Sequence, residues 1–258
     1  MSRTLYILRM SNSPDPVSAA SVRAPLVDAA TPVASTPLSR LAPAMWARPG
    51  LLIVLGVALA AAGRPLLWMN VLIIPVDVVT LLLVHRLLRA EGRGLADLLR
   101  PVRGGDIAWG LLCGLIVVLA WFPASFIAGL VAYRGPMPTA AYQSVPLWIA
   151  LVGVTIMPVT IGLAEEALYR GYLQPRLAGV LGQARAVIAA SAFFAVQHIA
   201  FAPFDPRAMV FGIVRTFLAG LVFAGLFLWR RRVMPLAVGH WLVDLLGLGL
   251  PLLLAALA

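Results

Sequence analysis

Apolar blocks joined by short arginine-bearing segments run through residues 46–256 and leave few folds open to this chain. The spans read as 46–63, 65–85, 107–132, 146–169, 186–203, 208–229 and 233–256, most of them near the ~20 residues that an α-helix needs to cross a bilayer. With 62% hydrophobic and 12% charged residues, the chain lies far from soluble domains, in which about 25% of residues are charged. A membrane β-barrel requires short segments of alternating polarity, and these are almost absent. The expected fold class is all-α, a polytopic transmembrane helix bundle of about seven spans.

The joints carry the orientation signal. Arg64, Arg134 and Arg207 stand alone at alternate joints, whereas the other three hold Arg86 to Arg103, Arg170 to Arg185, and Arg230 to Arg232. Arginine accumulates on the cytoplasmic side, so the pattern predicts a cytoplasmic N-terminus. Residues 86–105 are basic and partly amphipathic, suiting a helix on the membrane surface. Residues 1–45 are rich in Pro, Ser, Ala and Thr without helical periodicity, and read as a disordered tail. Residues 46–258 then form the transmembrane domain.

The net charge of +10 does not point to nucleic acid, because the arginines sit at the ends of apolar segments rather than in one tract. All twenty basic residues are arginine, a biased composition that fits a bacterial host and its cytoplasmic membrane. The single cysteine, Cys113, lies in an apolar span and is expected to pack as a small residue. It offers no disulfide framework.

Ionisable groups inside spans are costly, by roughly 2.5–3.5 kcal/mol each on insertion scales, and each asks for a reason. They are Asp77, Glu165, Glu166, Arg170, His198, Arg215, His240 and Asp244. Glu166 and Arg170 have the i,i+4 spacing of one helix face, as do Phe194 and His198, and His240 and Asp244. Glu165 lies about 100° round the helix from Glu166. Glu166 is therefore expected to pair with Arg170, leaving Glu165 free for proton transfer with another helix. Asp77, two residues after Pro75, is expected to cap or bond a broken helix, and Arg215 to pair with Asp244 or a glutamate, to meet a substrate carboxylate, or to snorkel towards the outer interface. Glu165, His198, His240 and Asp244 lie on three spans that a bundle can bring to one cavity. A glutamate base with two imidazoles suits attack by water on a carbonyl. Two imidazoles with carboxylates would equally suit zinc. Counted along the spans, the site lies within the bilayer and is expected to open to the cytoplasm.

Three motifs occur in order: EExxxR in AEEALYRGYL, FxxxH in FFAVQHIAF and HxxxD in AVGHWLVDLL. Together they resemble the CPBP family of CAAX proteases and bacteriocin-processing proteins, also known as the abortive-infection family, over about residues 146–250. The resemblance implies an intramembrane endopeptidase in which Glu165 activates water with help from His198. It further implies that Glu166 and Arg170 form a supporting ion pair, that Phe194 packs at the site, and that His240 and Asp244 stabilise the oxyanion. Asp244 stands where the prenyl-protein endopeptidases have Asn, and an ionised Asp cannot donate. Orientation of His240 is therefore the role expected of Asp244. No cofactor is implied, with zinc held by Glu165, His198, His240 and Asp244 as the alternative. The expected partners are the lipid bilayer and a membrane-associated peptide or protein substrate. The rival readings are a non-catalytic membrane scaffold or chaperone that retains the cavity, and a transporter, which the lack of visible inverted repeats disfavours.

Overall fold

The computed structural model describes residues 37–64, 66–138 and 145–258. Most of the expected tail, residues 1–36, lies outside the described residues. Among those described, every regular element is helical, and seven helical stretches are long and apolar enough to cross a membrane. The first is α1 (Leu38–Ala61), which begins eight residues before the expected span. Its prolines Pro43 and Pro49 make the sequence look like tail, yet neighbouring helices allow proline inside membrane helices. The second span, α2 (Met69–Arg89), likewise runs unbroken through Pro75. Asp77 is therefore not the cap of a broken helix.

Within the basic segment expected to form a surface helix, residues 86–89 complete α2 and a five-residue helix, α3 (Leu95–Leu99), follows. An ion pair between Glu91 and the buried Arg176 ties this joint to the bundle. Next come α4 (Gly105–Tyr133) and α5 (Leu147–Glu165). A fully buried π-helix, Glu166–Leu173, continues α5 into α6 (Gln174–Leu181). Then follow α7 (Gln183–Val196), a 3₁₀ segment Gln197–Phe201, and α8 (Pro206–Arg230). The last span is α9 (Val233–Asp244), a π-helical turn Leu245–Gly249, and α10 (Leu250–Leu257).

Helix α4 packs along α8 and α9, α2 along α5, and α5 along α9, while α1 rests on α2 and on the 3₁₀ segment. Two close backbone approaches fix α9. A Cβ on Gly239 would lie 2.9 Å from the Gly114 nitrogen of α4, and one on Gly162 would lie 2.7 Å from the Ala237 carbonyl oxygen. Only glycine permits such crossings, and close approach is what drives helices together in lipid. Gly162 is one turn before Glu165 and Glu166, and Gly239 precedes His240, so these crossings bring the imidazole against both glutamates. Leu82, Phe126 and Leu254 remain 62%, 68% and 69% exposed, forming an apolar belt suited to lipid chains. The chain is an integral membrane protein by this fold.

Candidate active site

Glu165 ends α5 and Glu166 opens the π-helix, a widened turn of the kind that recurs at functional sites. Both side chains are buried, and they look in different directions. Glu166 Oε1 accepts from Arg170 Nη1 at 3.1 Å and from His240 Nδ1 at 2.8 Å. Arg170 also donates to the Gly220 carbonyl at 3.1 Å, and its guanidinium lies 4.6 Å from the Phe194 ring centroid. The expected Glu166–Arg170 pair is present, with Phe194 packed against it.

Glu165 is not free. Its Oε1 accepts from Arg48 Nη2 at 2.8 Å and from Gln197 Nε2 at 2.9 Å. Arg48 is buried on α1 and also donates to Asp77 Oδ1 at 2.7 Å and to Gln197 Oε1 at 3.1 Å. The Tyr169 hydroxyl donates to the same Gln197 oxygen at 2.9 Å. Arg48, Asp77, Gln197 and Tyr169 thus form a buried network around Glu165 that the sequence motifs do not contain. Removing two acids and a guanidinium from water is expensive, and the hydrogen bonds of Arg48 offset much of that cost, although Asp77 Oδ2 has no partner among the described residues. The second oxygen, Glu165 Oε2, lies 3.5 Å from His240 Nε2.

The His240 ring stacks on Phe223 with centroids 4.8 Å apart, and Glu166 fixes its Nδ1. Glu166, then, orients this imidazole. The expectation that Asp244 does so is corrected, since Asp244 Oδ2 lies beside the other nitrogen at 3.7 Å, beyond hydrogen-bond reach. His198 donates from Nδ1 to the Phe194 carbonyl at 2.9 Å. A backbone carbonyl only accepts, so the proton sits on Nδ1 and Nε2 is left with its lone pair. His198 makes no direct hydrogen bond to Glu165.

Glu165, His198, His240, Asp244 and Arg215 line one cavity of about 570 Å³, within the ~300–1,000 Å³ of ligand sites. Its wall also includes Met137, Phe201, Ala202 and Ala208. These residues flank the joints that carry Arg134 and Arg207, so the cavity extends to the arginine-poor face. The expected opening on the arginine-rich side is thereby corrected. Arg215 pairs with no carboxylate among the described residues and stacks on Trp121 and Phe211 instead.

Among the described residues, no three of His, Cys, Asp and Glu are disposed as a metal-ligand group. Glu165 Oε1 and Glu166 Oε1 are each already bound by two donors, and a guanidinium beside a carboxylate opposes a cation there.

Comparison with protein families meets this geometry at the same stretch of chain. Residues 144–246 match the family described as type II CAAX prenyl endopeptidase Rce1-like. That stretch is Rce1-like. The match spans all three motifs from Glu165 to Asp244 and agrees with the resemblance they carry. It begins after α4, so Arg48, Asp77 and Trp121 lie outside the Rce1-like segment. No curated protein and no solved structure matches the chain.

Proposed function

We propose that this chain is an intramembrane endopeptidase that hydrolyses a peptide bond of a membrane-associated protein or peptide through Glu165 and His198. The observation that carries the reading is the convergence of Glu165, His198, His240 and Asp244 on one cavity inside an apolar bundle. Water in that cavity donates one hydrogen bond to Glu165 Oε2 and the other to His198 Nε2, both of which are acceptors. Its lone pair is then turned to the substrate carbonyl. As the O–C bond forms, Glu165 takes a proton from the water, and it returns that proton to the departing amine as the C–N bond breaks. Charge builds on the carbonyl oxygen in the same step, and His240, held as an imidazolium with Nδ1–H on Glu166 and Nε2 beside Asp244, supplies its Nε2–H as the donor that stabilises it.

Arg48 and Gln197 hold Oε1 and leave Oε2 toward the cavity. They set the carboxylate's direction rather than touch substrate, which makes them positioning residues. The buried network favours this reading over a scaffold, because a binding cavity alone has no need of an acid oriented by two donors.

The test is cleavage of membrane-protein substrates by detergent-solubilised wild type, Glu165→Ala and His198→Ala, with and without a strong chelator. Loss of about 10²–10⁴-fold in each variant is expected, with no effect of the chelator. Equal cleavage by wild type and Glu165→Ala would sink the mechanism, and chelator loss restored by zinc would replace it with a metal one.

A further inference from the structure

Four arginines lie inside the helical spans away from their ends, and three of them are fully matched. Arg48 meets Asp77 and Glu165, Arg170 meets Glu166, and Arg176 meets Glu91. Arg215 differs. It stands nine residues after Pro206, the start of α8, which is about 14 Å along the helix axis and too deep to reach the interface with ease. Its guanidinium lies 4.6 Å from the Trp121 ring centroid and 4.8 Å from that of Phe211. Its buried Nε has no hydrogen-bond partner, and no carboxylate among the described residues pairs with it. Aromatic faces offset part of the cost of desolvating a cation, but they leave its N–H donors unspent.

The side chain lines the same cavity as the candidate catalytic residues. Gly212, one turn earlier on α8, abuts His198: a Cβ there would lie 3.8 Å from the His198 carbonyl oxygen. Arg215 follows Gly212 by about one helical turn, ~5 Å of backbone rise, and its side chain lines the cavity beside His198. An unspent, preorganised fork of donors in a mostly apolar cavity is complementary to a carboxylate, which it can bind bidentately. Glu165 and Asp244, which line the same cavity, repel a carboxylate. A substrate would thus be held with its acid on Arg215 and its peptide bond on Glu165.

We propose that Arg215 is a specificity-determining residue that binds a substrate carboxylate within a few residues of the scissile bond. The spacing follows from ~5 Å along α8 against ~3.3 Å per extended residue. The inference rests on the peptidase reading for the word substrate, and on the cavity alone for the carboxylate. Trp121 and Phe211 flank the guanidinium at 4.6 and 4.8 Å, so the anchor has aromatic support before anything binds. The carboxylate is either a chain terminus or the side chain of an acidic residue.

The test measures binding rather than cleavage. Three fluorescein-labelled octapeptides of alanine and leucine serve as probes: one with a free carboxyl terminus, one amidated, and one amidated with a glutamate near its end. Their affinities for the detergent-solubilised full chain are read by fluorescence anisotropy, alongside Arg215→Gln and Arg215→Lys. An acid probe is expected to bind wild type about tenfold tighter than the neutral one. Arg215→Gln abolishes that ratio, and Arg215→Lys, which keeps the charge without the fork, reduces it. A gain limited to the free terminus assigns the terminal carboxylate, and a gain for the glutamate probe assigns the side chain. Equal binding of acid and neutral probes to wild type overturns the proposal, as does binding of none of the three or a ratio that survives in Arg215→Gln. Acid preference in a chain that cleaves nothing would keep the anchor and remove the peptidase reading, so the two failures are distinct.

Discussion

At the scale of the residue, the site separates two neighbouring acids by what holds them. Glu166 serves the His240 imidazole, and Glu165 is aimed by Arg48 and Gln197. If His240 is the main donor to the oxyanion and Asp244 its neighbour, then Asp244→Asn, which keeps shape and can donate, retains cleavage far better than Asp244→Ala. Comparing kcat for the two variants checks this, and equal loss would rule it out. Arg48→Met leaves Asp77 and Glu165 buried without their guanidinium. Such a break costs about 3–5 kcal/mol, to be read as a lowered thermal midpoint in detergent. An unchanged midpoint would mean that the network is not holding α1. The three motifs made Glu165, His198, His240 and Asp244 legible because i,i+4 spacing and apolar surroundings mark functional faces without any tertiary knowledge. Arg48 was hidden because a span drawn from residue 46 places it at the interface, where arginine is ordinary. In the folded chain it lies ten residues into α1, about 15 Å along the axis. Gln197 sat in plain view beside His198, but a neutral amide gives no electrostatic signal.

At the scale of the element, close approach decides which helices present the site. A Cβ on Gly56 of α1 would lie 2.1 Å from the Ala200 carbonyl oxygen, in the 3₁₀ segment that carries Gln197 and His198. Since backbone cannot yield as a side chain does, Gly56→Ala should part α1 from that segment and weaken both the Arg48 contacts and cleavage. Gly225→Ala, with nothing within 4 Å of its Cβ, is the matched control and should leave the thermal midpoint and the rate unchanged. Similar effects from the two would show that the α1 crossing does not position the site. Span number and order were readable because lipid demands continuous apolar helices. The π-helix after Glu165 was not, since nothing in local composition separates an i→i+5 turn from an α-helical one. The anchor of the α3 joint was not legible either: the Arg176–Glu91 pair spans 85 positions of sequence.

At the scale of the whole molecule, the orientation expected from the arginines and the cavity opening expected from the sequence cannot both hold in this fold. The arginine-rich joints place the N-terminus in the cytoplasm, and the cavity extends to the opposite, arginine-poor face. If the charge rule sets the orientation, the cavity faces away from the cytoplasm. Single cysteines at Met137 and Arg93 in a Cys113→Ala background, labelled with a membrane-impermeant maleimide, decide the matter. Labelling at 137 in intact cells, and at 93 only after permeabilisation, is expected; the reverse would turn the bundle over and give the cavity to cytoplasmic substrates. Helix direction follows from span parity, but the end at which a bundle gapes depends on tilt and on side-chain volume at every level, which no single segment encodes. Arg48 belongs to this scale as well. The segment recognisable by kinship starts at residue 144, yet the acid inside it is steered by a cation from the opposite end of the chain. Transplanted by itself, the matched segment would keep every signature residue and lose the counterion that aims its glutamate, so resemblance and autonomy draw the boundary of this machine in different places.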